Sequence, residues 1–251
     1  MGVKQLAKTA EPATDAPCVA VLIPCHNEER TVAGVIGDFR AALPAARIYV
    51  YDNRSTDRTA AIARAAGAIV RTEEQQGKGH VVRRMFAEVE ADIYVLVDGD
   101  GTYDAASAPA MIGDLIAHER DMVVACRVDQ DSAAFRPGHR IGNRLLSGVM
   151  SMAFSHPLTD ILSGYRVFSR RFVKSFPAPA GGFEIEAELT AHALALDRPV
   201  GEIAAPYFAR PQGSRSKLNT WRDGYRILRT ILRLYRAERR TQSVAARQAP
   251  H

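Results

Sequence analysis

The sequence of 251 residues has no run of about 18 apolar residues, the length that a helix needs to span a bilayer. Residues 1–17 lack the apolar centre of a secretory signal, so we expect a cytoplasmic protein. The three cysteines are an odd number without metal-ligand spacing, which favours a reducing compartment over a disulfide framework. With 47% hydrophobic residues, the chain can nevertheless build a sizeable core, which excludes global disorder.

Several motifs that define common nucleotide enzymes are also missing. No Gly-x-Gly-x-x-Gly follows the first predicted strand, which disfavours a dinucleotide dehydrogenase, and there is no Walker sequence. There is no Gly-x-Ser-x-Gly elbow of a serine hydrolase. No basic and aromatic nucleic-acid motif appears, so we expect no nucleic acid among the partners. The net charge of +5 is concentrated beyond Arg210, which indicates an anionic surface or ligand.

What the chain does contain is a regular alternation of strand-like and helix-like segments. Short apolar runs predict strands at residues 18–23, 48–51, 68–71, 93–97 and 122–125. Capped periodic stretches predict helices at residues 31–43, 58–66, 79–90 and 108–118. This order predicts an α/β domain over residues 17–215, with a mainly parallel sheet and helices on both faces. We expect flexible tails at residues 1–16 and 241–251.

Two carboxylates, Asp98 and Asp100, flank Gly99 directly after a predicted buried strand. Open α/β sheets bind ligands at the carboxyl ends of their strands. Clustered carboxylates there are typical of a divalent cation whose shell is completed by phosphate oxygens. An EF-hand is excluded because Tyr103 and Pro109 stand where that loop needs Gly and Glu. A solvated turn or the acid/base pair of a hydrolase remain alternatives at this point.

Other polar groups follow neighbouring predicted strands. Asp52 ends the second strand, and Glu28 lies in the loop after the first. We therefore expect Glu28, Asp52, Asp98 and Asp100 to face one crevice that accepts a nucleotide. The alternatives are a turn role for Asp52, a helix-dipole role for Glu28 and an ordinary loop around Lys78.

Taken in order, these segments resemble the motifs of family 2 glycosyltransferases with the GT-A (Rossmann-like) fold. The segments are Pro24-Cys25-His26-Asn27-Glu28-Glu29, Asp52-Asn53-Arg54-Ser55-Thr56-Asp57-Arg58-Thr59, Gly77-Lys78-Gly79, Asp98-Gly99-Asp100, Ser163-Gly164-Tyr165-Arg166, Gly182-Phe183-Glu184-Ile185-Glu186 and Gly213-Ser214-Arg215-Ser216-Lys217-Leu218. Within the family, the chain is most similar to the dolichol-phosphate-mannose-synthase-like branch, which moves sugars onto polyprenyl phosphates. The resemblance covers residues 17–220.

The resemblance implies a hexosyltransferase that transfers a sugar, with inversion, from a UDP- or GDP-sugar. It implies nucleoside contacts, which we assign to Pro24, Asn27, Glu28 and Asp52, with Lys78 beside the phosphates or the sugar. It also implies that Asp98 and Asp100 bind Mg²⁺ or Mn²⁺ together with the donor diphosphate. Two positions depart from the pattern. Thr102 stands where the branch can have a metal-binding Gln, and His26 stands where the family usually has Tyr.

Cationic side chains in the second half are candidates for an acceptor phosphate, because the planar guanidinium of Arg matches phosphate oxygens. The resemblance favours Arg127, Arg166 and Lys217, and we also expect Arg127 and Arg166 at the catalytic centre. Further acceptor candidates are Arg140, Arg144, Ser163, Arg215 and Ser216. Any single one of these cations could instead be solvated surface.

The acceptor class decides whether the enzyme needs a general base. A phosphate acceptor is ionised near pH 7 and needs only cationic positioning, whereas a hydroxyl needs a carboxylate within hydrogen-bond reach. Asp160, Glu184 and Glu186 are the candidates for that base. A non-catalytic nucleotide-sugar-binding subunit and a nucleotidyltransferase are further alternatives, although the latter normally has a Gly-rich loop where residues 24–29 stand.

Residues 216–240 predict an amphipathic basic helix. An apolar stripe with aromatics recurs at four-three spacing, and a cationic stripe follows one position later. The first comprises Trp221, Tyr225, Leu228, Leu232 and Tyr235, and the second Arg222, Arg226, Arg229, Arg233 and Arg236. The pattern suits an anionic membrane surface, or a helix docked on the domain or a second subunit. Residues 141–154 are similarly apolar with basic flanks, so we expect peripheral contact with the inner face of the plasma membrane.

Overall fold

The computed structural model describes residues 16–130, 139–177, 180–211 and 220–248. Seven strands form one sheet in the order β3-β2-β1-β4-β6-β5-β7. The strands are β1 (Val19–Cys25), β2 (Arg47–Asp52), β3 (Ile69–Thr72), β4 (Ile93–Leu96), β5 (Met122–Asp129), β6 (Arg166–Ser169) and β7 (Val200–Tyr207). Only β6 pairs antiparallel, with β4 and with β5; the other pairings are parallel.

The central strands are apolar on both faces because helices cover both sides of the sheet. Leu22 and Leu96 point into one core cluster, whereas Val21 and Val95 point into the other, and all four are fully buried. The alternation of side chains along each strand thus feeds two cores. This confirms the predicted mainly parallel α/β architecture.

Eight α-helices occur in the described part of the chain. They are α1 (Val32–Ala42), α2 (Thr59–Ala65), α3 (Lys78–Glu88), α4 (Ala108–Ala117), α5 (His139–Phe154), α6 (Arg170–Ser175), α7 (Ile185–Ala195) and α8 (Thr220–Gln248). Helices α1, α2 and α4 pack on one face of the sheet, and α3, α5, α6, α7 and α8 on the other. No helix among the described residues combines the length and the apolar character needed to cross a membrane.

Three features differ from the sequence-based expectation. Strand β5 continues to Asp129, and the elements β6, α6, α7 and β7 fill a region for which no element was predicted. Helix α8 reaches Gln248, so residues 241–248, expected as part of a flexible tail, are helical. Its last residues include Ala, Arg and Gln, which favour helix and explain the extension. Residues 1–15 lie outside the described part of the chain.

Candidate active site

The predicted acidic side chains lie at one edge of the sheet, where β1, β2 and β4 end. Cys25 is in register with Asp52, and Asn53 donates its backbone N–H to the Cys25 carbonyl at 2.8 Å. Gly99 follows β4 against the same strand, since a Cβ on it would lie 2.5 Å from the Cys25 Sγ atom. The structure therefore brings Asp52 together with the segment of Asp98 and Asp100, as parallel strand ends require.

Asp52 has an unsatisfied acceptor at this edge. The residue is 6% exposed, and its Oδ2 accepts the Ser55 backbone N–H at 3.2 Å. Its Oδ1 is buried and has no hydrogen-bond partner among the described residues. A buried acceptor without a donor is costly, and a ribose hydroxyl or a base N–H would satisfy it. The arrangement fits the expected nucleoside contact of Asp52.

The loop after β1 is held by its own polar residues. Asn27 has a positive φ of 52°, and its Oδ1 accepts the Thr56 backbone N–H at 2.8 Å. Its backbone N–H donates to the Ser55 Oγ at 2.9 Å. The His26 Nδ1 lies 2.8 Å from the Asn53 carbonyl oxygen. Asn27 and His26 thus fix the loop that follows Pro24, at the end of β1, and carries the buried Glu28. The His at position 26 is accommodated by its contact with the backbone.

Lys78 joins two carboxylates from distant segments. Its Nζ lies 2.5 Å from the Asp98 Oδ1 and 2.5 Å from the Glu186 Oε1 at the start of α7. Burial opposes the charge of Lys78, but the two carboxylates outweigh burial and raise its pKa. Burial likewise opposes the charge of Asp98, yet Lys78 holds the pKa of this carboxyl below its ordinary value. Lys78 therefore favours the ionised form of Asp98 and holds the orientation of its carboxylate.

Close packing of glycines places Lys78 there. A Cβ on Gly77 would lie 2.1 Å from the Gly181 carbonyl oxygen, and one on Gly79 would lie 2.2 Å from that of Ala180. Side chains at either position would push the segment before α7 away. The Gly-Lys-Gly sequence thus serves to seat α3 against α7 and to bring the lysine between Asp98 and Glu186.

Asp100 is held by different groups. Its Oδ1 accepts the backbone N–H of Thr102 at 3.1 Å and the Thr102 Oγ1–H at 2.7 Å. Its Oδ2 forms an ion pair with Arg210, in the segment after β7. Burial and the nearby charge of Asp98 raise the pKa of Asp100. Thr102 stands at the position of the Gln noted in the sequence comparison, and here its two hydrogen bonds hold the Asp100 carboxylate in place.

The donor set at Asp98 and Asp100 fits a hard divalent cation in part. No group of three or more His, Cys, Asp or Glu that could hold a metal occurs in residues 16–130, 139–177, 180–211 and 220–248. Two carboxylates supply hard oxygen ligands, and Mg²⁺ is commonly bound by one or two carboxylates together with substrate phosphates. The residues present fit a cation that arrives with a diphosphate, rather than a metal caged by protein alone.

Arg127 lies across from these carboxylates, and its charge contributes to lowering the pKa of Asp98. Its Nε and one terminal nitrogen each donate to Asp160 at 2.7 Å, in a bidentate pair. Asn143 of α5 also donates to Asp160, at 3.0 Å, and the Arg127 guanidinium lies over the Tyr207 ring. This network positions a buried cation at the predicted acceptor side of the site.

The structure does not place Arg166 and Ser163 as the sequence predicted. Arg166 is 0% exposed, and its guanidinium donates to the carbonyls of Ser163 and Ile161 and to the Thr190 Oγ1. Ser163 is also 0% exposed. Arg166 is internal because β6 is a central strand, and Ser163 is buried in the segment before it, so their burial does not support the expected contact with acceptor phosphate. Gly164, between them, does border the site, since a Cβ on it would lie 2.4 Å from the Asp98 Oδ2.

Two further acceptor candidates, Arg140 and Arg144, lie on the surface of α5. Arg140 is exposed and pairs with Asp129 at 3.2 Å, and Arg144 is exposed on α5. Arg215, Ser216 and Lys217 lie outside the described residues.

Among the three candidate bases, the structure distinguishes one. Asp160 is occupied by Arg127, and Glu186 by Lys78. The Glu184 Oε2 is buried without a hydrogen-bond partner among the described residues, directly before α7. Glu184 is therefore the carboxylate that is most available to accept a proton.

Sequence reasoning missed Arg210 and the pairing of Lys78 with Glu186. Glu186 and Lys78 each lie in a segment that the resemblance marked, but nothing in the sequence indicated that the two side chains form an ion pair. Arg210 lay at the edge of the basic region and carried no motif of its own.

The fold and this site can now be compared with known proteins. Residues 20–176 match the family described as Glycosyl transferase family 2. Glycosyltransferase AglJ of Haloferax volcanii is 35% identical over 231 residues, which cover 90% of this chain and 73% of that protein. The dolichyl-phosphate hexose transferase of the same organism is 26% identical over 221 residues, which cover 88% and 95% of the two chains.

A solved structure shares the fold. Glucosyl-3-phosphoglycerate synthase from Mycobacterium tuberculosis, crystallised with Mn²⁺, UDP-glucose and phosphoglyceric acid, superposes with a TM-score of 0.67 at 23% identity. The match covers 88% of this chain and 79% of that one. Together with the acidic edge of the sheet, these matches show that the chain belongs to glycosyltransferase family 2 and is a glycosyltransferase with the GT-A fold.

Proposed function

We propose that the enzyme transfers a sugar, with inversion, from a nucleotide-diphosphate sugar to a polyprenyl-phosphate-type acceptor. The observation that carries the proposal is that two chemically different environments meet near Asp98. On one side stand Asp98, whose pKa is lowered by Lys78, and the Asp52 Oδ1, which has no hydrogen-bond partner among the described residues; on the other stands the partly buried cation Arg127. The first environment suits a nucleoside diphosphate with its cation, and the second suits an anionic acceptor.

The donor side is supported by the chemistry of its groups. Asp52 offers an acceptor to the ribose or the base, and Glu28 is buried in the loop after β1. The solved relative in fold binds UDP-glucose, which favours a UDP-sugar, although a GDP-sugar would meet the same carboxylates. Arg210 and Lys78 bring positive charge to the place where the diphosphate would lie.

A divalent cation, Mg²⁺ or Mn²⁺, would be held by Asp98 and Asp100. When bound, it would neutralise the negative charge that develops on the leaving nucleotide. The chain's own contribution is to hold Asp98 ionised through Lys78 and to orient Asp100 through Thr102. These contacts keep the ligands in place before the donor arrives.

The acceptor side favours phosphate because its carboxylate is already used. Asp160 is held by Arg127, and this cation outweighs the effect of burial and lowers the pKa of the carboxyl, which makes Asp160 a poor base. A phosphate oxygen attacks without a base and gains from the charge of Arg127. The relative in Haloferax volcanii whose name states dolichyl-phosphate hexose transfer supports the same acceptor class. Such an acceptor would bring the enzyme to the inner face of the plasma membrane.

A second candidate is transfer to a hydroxyl of a soluble or glycan acceptor. The Glu184 Oε2 favours it, because this oxygen is buried without a hydrogen-bond partner in the described part of the chain and could take the proton of an attacking hydroxyl. The two acceptor classes therefore make opposite predictions for the Glu184→Gln variant.

The donor assignment is tested by thermal shift with UDP, GDP and their sugars, with and without Mn²⁺. Asp52→Asn should weaken donor binding by about 10- to 10²-fold, because a hydrogen bond to a charged group contributes about 1.5–3 kcal/mol. The same change should leave the melting temperature of the free protein unchanged or raised, because the buried Asp52 Oδ1 has no hydrogen-bond partner among the described residues. Asp197→Asn, at an exposed position after α7 with a φ of 50°, is the matched control. No nucleotide-dependent shift in the wild type would contradict the donor assignment.

The acceptor assignment is tested by transfer to a short-chain prenyl phosphate and to a sugar hydroxyl acceptor. With phosphate, Glu184→Gln should retain its turnover within a few-fold, and Arg127→Met should lose it. Turnover only on the hydroxyl, lost by about 10²–10⁴-fold in Glu184→Gln, would establish the second candidate instead. Donor binding without metal-dependent transfer or hydrolysis would indicate a non-catalytic nucleotide-sugar-binding subunit.

A further inference from the structure

Helix α5 carries an apolar stripe that the described part of the chain leaves exposed. Ile141, Leu145 and Met152 are 75%, 67% and 83% exposed. Their spacing of four and seven residues places them on one face of the helix. Soluble surfaces expose single apolar side chains routinely, but an aligned set is typical of an interaction surface.

The core does not account for this stripe. The opposite face of α5 carries Leu146 and Met150, which are buried in the same core cluster as Ile227 and Ile231 of α8. Helix α5 is therefore apolar on two faces, and packing against the domain uses only one of them.

The stripe lies on the helix that supports the acceptor side of the site. Asn143, two residues after Ile141, donates to Asp160, which in turn holds Arg127. The face that reaches the site and the exposed face thus belong to the same first turns of α5. A surface bound by the stripe would lie close to the position where an acceptor enters.

The charges around the stripe select an anionic surface. Arg140 and Arg144 are exposed on the same helix, and Arg140 pairs with Asp129 at its base. Residues 139–154 contain no Asp or Glu. Pairing of two copies through this face would bring only apolar and cationic groups together, without a counter-charge. An anionic lipid surface offers both apolar depth and negative charge.

Helix α8, which packs beside α5, has a related outer face. Tyr225 is 69% and Leu232 39% exposed, whereas Ile227 and Ile231 are buried. Arg229 and other arginines of α8 are exposed as well. The aromatic stripe read from the sequence is therefore partly on the outside of α8, and a different apolar face docks on the domain.

We propose that the α5 stripe of Ile141, Leu145 and Met152 inserts at the headgroup level of an anionic bilayer, with Arg140 and Arg144 at its edge. This inference rests on the proposed function only for the reason why the enzyme would bind a bilayer, which is that a polyprenyl phosphate acceptor is anchored in one. Binding itself requires no catalysis and can be measured alone.

The test is co-sedimentation of the full chain with vesicles of phosphatidylcholine alone or with phosphatidylglycerol added. The wild type should bind the anionic vesicles at least about tenfold better than the neutral ones. The triple variant I141S/L145S/M152S should lose at least about tenfold in affinity. The control I69S/I116S/L196S removes three other exposed apolar side chains and should bind as the wild type. The single variant Leu145→Asp gives the same answer with one change if the triple variant folds poorly.

Three results would overturn the proposal. The wild type could fail to bind anionic vesicles, or the triple variant could bind as well as its control. Analytical ultracentrifugation could also show a dimer that the triple variant loses, which would assign the stripe to a second copy.

If the wild type binds vesicles through the stripe but transfers to no prenyl phosphate, the membrane-binding surface is supported and the proposed acceptor is wrong. If the triple variant transfers normally to a water-soluble short-chain acceptor but not to one in vesicles, both stand.

Discussion

The Asp160→Asn variant tests the electrostatics of the acceptor side. Asp160 is 5% exposed and receives two guanidinium donors from Arg127, whose side chain is 12% exposed. Asparagine removes the charge and turns one acceptor into a donor that opposes the guanidinium. Loss of one partner of a buried ion pair costs about 3–5 kcal/mol. For a chain of this size, about 2–4 °C per kcal/mol gives a fall in melting temperature of roughly 6–20 °C.

The cost should depend on pH in a defined direction. Burial alone would raise the pKa of Asp160, but Arg127 outweighs burial and lowers it below the ordinary value. A carboxyl with a lowered pKa in the folded state stabilises the protein above its unfolded-state pKa of about 3.9, and this contribution is lost as the pH falls through the folded-state value. The difference between wild type and variant should therefore be full at neutral pH and shrink below about pH 4.

Urea unfolding followed by circular dichroism measures this difference at each pH. The paired variant R127M/D160L should be less destabilised than Asp160→Asn, because it removes both charges and leaves neither unpaired. Asp197→Asn controls for the loss of a carboxylate at the surface. A free energy of unfolding for Asp160→Asn within about 1 kcal/mol of the wild type, at every pH, would show that solvent screens the pair as it does at a surface, and would refute the argument.

Two further variants separate residues at the site from residues under it. Gly164→Ala should lower kcat/KM about 10²-fold, because its Cβ would lie 2.4 Å from the Asp98 Oδ2 and displace that carboxylate. Gly148→Ala, where a Cβ would meet open space, should leave kcat/KM unchanged. Steady-state kinetics measure both, and wild-type activity in Gly164→Ala would contradict the close packing of Gly164 on Asp98. Arg166→Met should lower the free energy of unfolding by about 2–5 kcal/mol, because it leaves the acceptors of the buried guanidinium unsatisfied, with an acceptor KM within a few-fold of the wild type. A raised KM at unchanged stability would return Arg166 to the acceptor site.

The acidic edge could be predicted because it depends on local order. Asp52 and Asp98 each follow a short apolar strand, and parallel strands end at a common edge, so proximity follows from the sequence alone. The alternation of elements predicted the sheet and its two helical layers for the same reason. These inferences needed no knowledge of how distant segments pair.

The roles of the cations could not be predicted in this way. Arg127 and Arg166 both belong to strands that border the site, but Arg127 lies near the exposed end of β5 and Arg166 lies within the core. The difference depends on the insertion of β6 between β4 and β5, which no periodicity reveals. The sequence of α8 did not show which of its faces packs on the domain. Both the face with Ile227 and Ile231 and the face with the aromatic stripe are apolar, and tertiary packing buries the first.

The reversed direction of β6 has a consequence for how this scaffold can diversify. Its neighbours send the residues that follow them to the catalytic edge, but β6 sends the residues that precede it, including Asp160 and Gly164. Under the proposed function, donor recognition after β1, β2 and β4 and acceptor recognition before β6 would be encoded in separate stretches of the gene. Exchange of residues 156–164 between homologues would then change the acceptor and keep the nucleotide preference.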